Sequence, residues 1–100
     1  MEKKKNYRLI LAKYPCPCCG YRTLPEPAGG TYEICPVCYW EDDKVQLAHP
    51  DLQGGANDVS LLEAQENFRA FGACSKDALP YVRPPMKHEM RGKDGNGETK

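Results

Sequence analysis

Apolar residues recur at helical spacing in one stretch of this chain. Leu61, Ala64, Phe68 and Phe71 follow one another at intervals of three and four residues and form a single stripe. Ser60 stands just before the stripe and Glu63 three positions later, the spacing at which a serine hydroxyl and a glutamate satisfy open N–H groups of a first helical turn. Gly72 then supplies a left-handed stop. The pattern predicts a helix over 61–71, about three turns long, with Leu61, Phe68 and Phe71 facing inward. Elsewhere the apolar runs are short. "YRLILA" (7–12) reads as a short strand or a segment that docks on the body. "YRTL" (21–24) and "TYEI" (31–34) read as neighbouring strands around the breaker-rich loop "PEPAGG" (25–30). Residues 44–59, with Pro50 and the pair Gly54-Gly55, carry no useful period and read as loop. From 88 onward the chain is polar and glycine-rich, with nothing to bury. Three parts result: a basic segment 1–13, a body 14–86, and a disordered polar tail 87–100.

The stripe needs something to pack on, and composition says what holds that partner together. A domain within 100 residues is marginal on hydrophobic burial alone. The chain has six cysteines. Four of them stand as Cys16-x2-Cys19 and Cys35-x2-Cys38 with fifteen residues between the pairs, a spacing that brings four sulfurs to one tetrahedral zinc ion. Each pair is C-P-x-C, and the proline sets φ for the tight turn. Gly20 follows the first pair, where the chain can leave at positive φ. Tyr39 takes that place after the second, which makes the second turn less ideal. The rival reading of C-P-x-C is a dithiol redox motif capping a helix. Gly20, Pro25 and Pro27 oppose such a helix, and the second pair would have no role. The expectation is one structural Zn2+ on Cys16, Cys19, Cys35 and Cys38. Two turns on neighbouring strands facing one ion, with one helix packed beside them, give a small α+β fold with zinc-ribbon-like β structure. Trp40, Ile34 and Leu9–Leu11 are the expected partners of the helix.

Some residues fall outside this scheme. Cys18 is the middle residue of the first turn and points away from the ion; it is a small structural residue or, on the sharper reading, a reactive thiol. Cys74, past the helix stop, reads as a structural thiol. His49 and His88 have no ligand spacing. "YWEDD" (39–43) contains the single tryptophan beside three acids. Trp40 either covers the metal cluster or anchors a partner. Glu41, Asp42 and Asp43 read as a solvated edge or, with Trp40, as a partner-binding patch.

Charge narrows the partners. The formal net charge is zero, but the body holds five basic residues (Arg22, Lys44, Arg69, Lys76, Arg83) against ten acidic ones (Glu26, Glu33, Glu41, Asp42, Asp43, Asp51, Asp58, Glu63, Glu66, Asp77). An acidic body repels phosphate, so nucleic acid is an unfavourable partner for it. The short apolar run Leu9–Ala12, closed by Arg8 and Lys13, falls short of a secretory h-region. No stretch approaches a membrane span. A cytoplasmic, reducing compartment follows, in which clustered thiols bind metal rather than pair.

The pieces "YPCPCCGYRTL", "GGTYEICPVCYWEDD", "GGANDVSLLEAQENFRAFG" and "VRPP" resemble the cysteine-rich CPCC family of small, mostly bacterial proteins. The resemblance implies a compact, free-standing zinc-ribbon-like domain and supports the same four cysteines. It carries no reaction with it. No nucleophile–base pair is visible, and a four-sulfur site leaves no open position for water. The expected function is therefore not enzymatic. It is a structural-zinc, protein-binding module, inhibitor- or immunity-like toward a basic partner. The alternative is a thiol- or metal-responsive sensor using Cys18. A nucleic-acid-associated role carried by the basic ends comes third.

Overall fold

The computed structural model describes residues 14–91. The basic segment 1–13, with its apolar run Leu9–Leu11, and residues 92–100 lie outside the described residues. The element order is α1 (Lys44–Ala48), α2 (Leu61–Phe71), a first 3-10 helix (Lys76–Tyr81) and a second (Lys87–Glu89).

Helix α2 forms as its pattern predicts. The Ser60 hydroxyl accepts from the Glu63 N–H at 3.1 Å. At the other end Gly72 sits at φ 89 and donates to the Phe68 carbonyl. Glu63 in the first turn and Arg69 in the last complement the helix dipole. Leu61 and Ala64 are buried, while Phe68 and Phe71 are half-buried at the edge of the core. The helix spans the cysteine-rich half. Gln65 Nε2 donates to the Pro17 carbonyl at 3.0 Å, and the Phe68 ring meets Tyr21 edge-on at 6.1 Å. Just past the helix, Cys74 N–H reaches the Cys38 carbonyl at 2.8 Å. Trp40 packs in this core as expected, but Ile34 is 46% exposed and is no partner of the helix.

The expected ribbon strands are not there. Among the described residues the β structure is two isolated antiparallel bridges, Tyr14 with Leu24 and Ile34 with Glu41. Backbone chemistry explains why neither extends. Beyond Ile34, Tyr32 takes positive φ (59), which ends an extended run. Inside the first bridge, Arg22 N–H leaves the pairing and donates to the Glu89 carbonyl. What was read as a ribbon is two turns, each closed by a single bridge.

Two other expectations are corrected. Residues 44–59 are not all loop, because Asp43 caps α1, its Oδ1 accepting from Val45 and Gln46 N–H at 2.7 and 3.1 Å. With five residues, α1 is too short to show a period. Residues 87–91, placed by sequence in the tail, belong to the body. Glu89 is buried, takes both arms of the Arg83 guanidinium at 2.9 and 2.8 Å, and accepts from Met86 N–H. Arg83 and Glu89 are six residues apart, so no helical or strand spacing marks them as a pair.

Candidate metal centre

The two C-P-x-C turns have the same construction. In the first, Gly20 N–H closes on the Cys16 carbonyl at 2.8 Å and Cys16 N–H donates to the Tyr21 carbonyl at 2.8 Å. In the second, Tyr39 N–H closes on Cys35 at 2.7 Å and Cys35 N–H donates to Trp40 at 2.9 Å. The closing residue takes positive φ in both, 82 at Gly20 and 73 at Tyr39. The tyrosine thus adopts the conformation that glycine adopts without strain.

These turns aim four sulfurs at one point. Cys16, Cys19, Cys35 and Cys38 are buried, and their Sγ atoms all lie within 4.8 Å of one another. Cys16 and Cys38 are 3.6 Å apart, and Cys19 and Cys35 are 3.7 Å apart. A tetrahedron of thiolates at about 2.3 Å from an ion has sulfur–sulfur edges of about 3.8 Å. The donor set and its spacing therefore fit a tetrahedral metal ion.

Electrostatics point the same way. Without a cation, the Cys35 thiol is pushed well below its ordinary value, first by the Cys16 sulfur and then by Cys19 and Cys38. Cys38 is driven far up, first by its contact with Cys16. Four thiols this close disfavour charge on one another. A divalent ion reverses that logic and stabilises all four thiolates. Thr23, buried beside them, donates its hydroxyl to Cys35 Sγ at 3.0 Å and orients that ligand from outside.

The other sequence candidates fall outside the four-sulfur group, although the Cys18 thiol lies within hydrogen-bond reach of Cys38. Cys18 is 7% exposed and outside the four-sulfur group. Cys74 is also buried, and burial first, then the nearby Cys18, pushes its thiol up to about 11, so it stays protonated. His49 and His88 are exposed and outside the cluster.

In "WEDD" Trp40 takes the core-packing alternative, whereas Asp42 and Asp43 are not the solvated edge expected of them. Trp40 is 1% exposed and belongs to the core, so it presents no anchor to a partner. Asp42 is buried too. Its carboxylate accepts from the N–H groups of Gly29, Gly30 and Thr31 and from the Thr31 hydroxyl, at 2.8–3.2 Å. Asp43, the α1 cap, also takes Ala56 N–H at 2.8 Å. The Ala56 bond, followed by that from Gln46, holds its carboxyl below the usual range. Only Glu41 keeps a half-exposed position, its backbone clamped on both sides by the Asn57 amide. The acids do not alternate along a strand, because Glu41 makes only an isolated bridge and the next two carboxylates serve backbone donors.

Sequence reasoning missed this polar interior. Gln46 is fully buried and serves the carbonyls of Leu52, Asn57 and Val59. Its Oε1 accepts from the Asn57 N–H and side-chain amide. Gly55 is required by close approach: a Cβ there would stand 2.8 Å from both Asp43 Oδ2 and Gln46 Cδ. One signal was available, an aspartate directly before "KVQLA" in the N-cap position. The pairing of Gln46 with Asn57 leaves no local trace.

A small helical fold with little strand, built on two cysteine turns around a four-sulfur metal site, defines a small metal-binding domain. Residues 14–89 match the family described as Cysteine-rich CPCC, and the chain belongs to that family. Comparison with curated proteins finds no match.

Proposed function

We propose that this protein is a structural-zinc domain that acts by binding another protein. The fit of the four sulfurs to a tetrahedral ion carries the reading. Four thiolates fill the coordination of zinc and leave no open position at which water could be activated, so the ion serves the fold rather than a reaction. All six cysteines are free, in keeping with a reducing, cytoplasmic setting. The acidic body favours a basic partner, and an inhibitor- or immunity-like role toward one is the form we favour. The sensor reading needs an accessible Cys18 thiol, and burial counts against it.

Elemental analysis of the purified protein should give one zinc per chain. Iron or no metal would overturn the zinc assignment. Affinity capture from host extract, with an alkali-metal salt wash, should retain a discrete protein partner; a protein that retains none at any salt concentration would overturn the binding role.

A further inference from the structure

The two cysteine turns close on different residues, Gly20 in the first and Tyr39 in the second, and Tyr39 opens onto a cleft. Beside the second turn lies a cavity of about 430 Å3. Its apolar lining includes Ile34, Tyr39 and Tyr81, which are 46%, 37% and 63% exposed. The Tyr39 and Tyr81 rings are stacked at 5.0 Å with 21° between their planes. The charged residues of the lining are Glu41, Asp58 and Asp77, and all three are acidic. Tyr39 sits at φ 73, where the equivalent position of the first turn holds glycine. A tyrosine in a left-handed conformation is strained, and such residues gather at functional surfaces. Its ring adds nothing to the buried core; it stands half out of the protein against Tyr81.

We propose that this cleft is the docking site for an arginine-bearing segment of a partner protein. The proposal rests on the protein-binding reading above and names its surface and its chemistry. Arginine suits both the aromatic pair and the acids. Its planar guanidinium stacks on aromatic faces, and its fork of N–H donors matches carboxylates. Three acids around an aromatic pair place negative charge where that cation arrives, and among the described residues the lining offers no cation to compete. Anionic partners, nucleic acid among them, meet three like charges.

The test uses the full-length zinc-loaded protein, labelled with nitrogen-15, and the peptide acetyl-Gly-Arg-Gly-Arg-Gly-amide. The peptide should shift the amide signals of Tyr39, Glu41, Asp77 and Tyr81 saturably, and the effect should weaken as salt rises. Its glutamate counterpart should shift none of them. Tyr81→Ala should weaken peptide binding at least tenfold, and Asp58→Asn with Asp77→Asn at least fivefold. Both sites are exposed, and zinc content confirms that each variant is folded. Peptide binding that Tyr81→Ala leaves intact, or shifts that appear elsewhere on the surface, would overturn the proposal. So would the same shifts produced by an oligothymidylate, or by raising protein concentration alone, which would mark nucleic acid or a second copy as the occupant. A host protein captured equally by wild type and Tyr81→Ala would leave the binding role standing and remove this cleft from it.

Discussion

The first and second cysteine turns share a motif, a hydrogen-bond pattern and a positive-φ exit, yet they are supported differently. The first is closed in. Arg91 lies over the Tyr21 ring at 4.3 Å and donates to the Cys19 carbonyl at 3.1 Å, and its Cδ would stand 3.0 Å from a Cβ at Gly20. Helix α2 reaches the same turn through Gln65. The second is open on the side of Tyr39 and is braced from behind by buried carboxylates, Asp42 on the Gly29–Thr31 loop and Asp43 on α1 and Ala56. Metal geometry dictates the turn, whereas the chain around each turn is free to differ. One turn became a buried corner and the other the rim of a cleft.

The comparison breaks most completely if the metal is removed. Both turns aim two sulfurs at the point where one ion would sit, so losing either should cost the whole domain. Structural zinc contributes on the order of 10 kcal/mol or more to such folds. Chelation, Cys16→Ser and Cys35→Ser should each abolish the helical circular dichroism of α2 in one cooperative step. Cys18→Ser, outside the sulfur group, should keep both zinc and helix. A helical signal that survived chelation would show that α2 folds apart from the turns.

Next comes the bracing of the second turn. Asp42→Ala strips a buried acceptor from three backbone N–H groups and a hydroxyl, and should cost about 2–4 kcal/mol in chemical denaturation. Because the four sulfurs stay in place, the variant should still bind one zinc. If Asp42→Ala were neutral, the second turn would owe nothing to the loop in front of it.

A remote ion pair links the two turns, Arg83 N–H donating to the Pro36 carbonyl and the Glu89 carbonyl accepting from Arg22 N–H, and it depends on pH. Arg83 is the chief cause that holds the Glu89 carboxyl below its ordinary value. A depressed carboxylate adds stability above its unfolded pKa of about 4.3 and loses it as pH falls through the lower folded value. Wild type should therefore exceed Glu89→Gln by about 1–2 kcal/mol at neutral pH, since Arg83 stays a third exposed. With zinc in excess, that margin should be full above about pH 5 and shrink below pH 4. A margin independent of pH would mean that the glutamate packs rather than pairs.

The smallest effect separates the closing residues themselves. Gly20→Ala places a Cβ at φ 82 and against Arg91, and should cost about 1–2 kcal/mol. Tyr39→Gly relieves the same strain and gives up an exposed stack, so its thermal midpoint should stay within a few degrees of wild type. Equal losses in the two variants would make Tyr39 a structural residue and weaken its assignment to the cleft.

What could be read from the residues was whatever depends on near neighbours or on a chemical requirement. Four cysteines at knuckle spacing need no tertiary information, because an ion accepts only one arrangement of them. Helix α2 is equally local: Ser60, the Leu61–Phe71 stripe and Gly72 each act within a turn of where they stand. The positive φ after each pair follows from the turn, even where the residue is Tyr39. What only the folded chain decided rests on groups far apart in sequence or on short pieces with no period. Asp42 looks like a solvated acid until Gly29, Gly30 and Thr31 arrive with their N–H groups. Asp43, Gln46 and Asn57 make sense only once the 52–59 loop has wrapped over α1. Glu89 reads as tail until Arg83 and the backbone of Arg22 reach it. Phe68, inward by its stripe, ends half-buried against Tyr21 at the edge of the core. A charge or amide in a sequence carries no mark of whether water or a distant backbone will satisfy it. Burial settles that, and burial is a property of the whole chain.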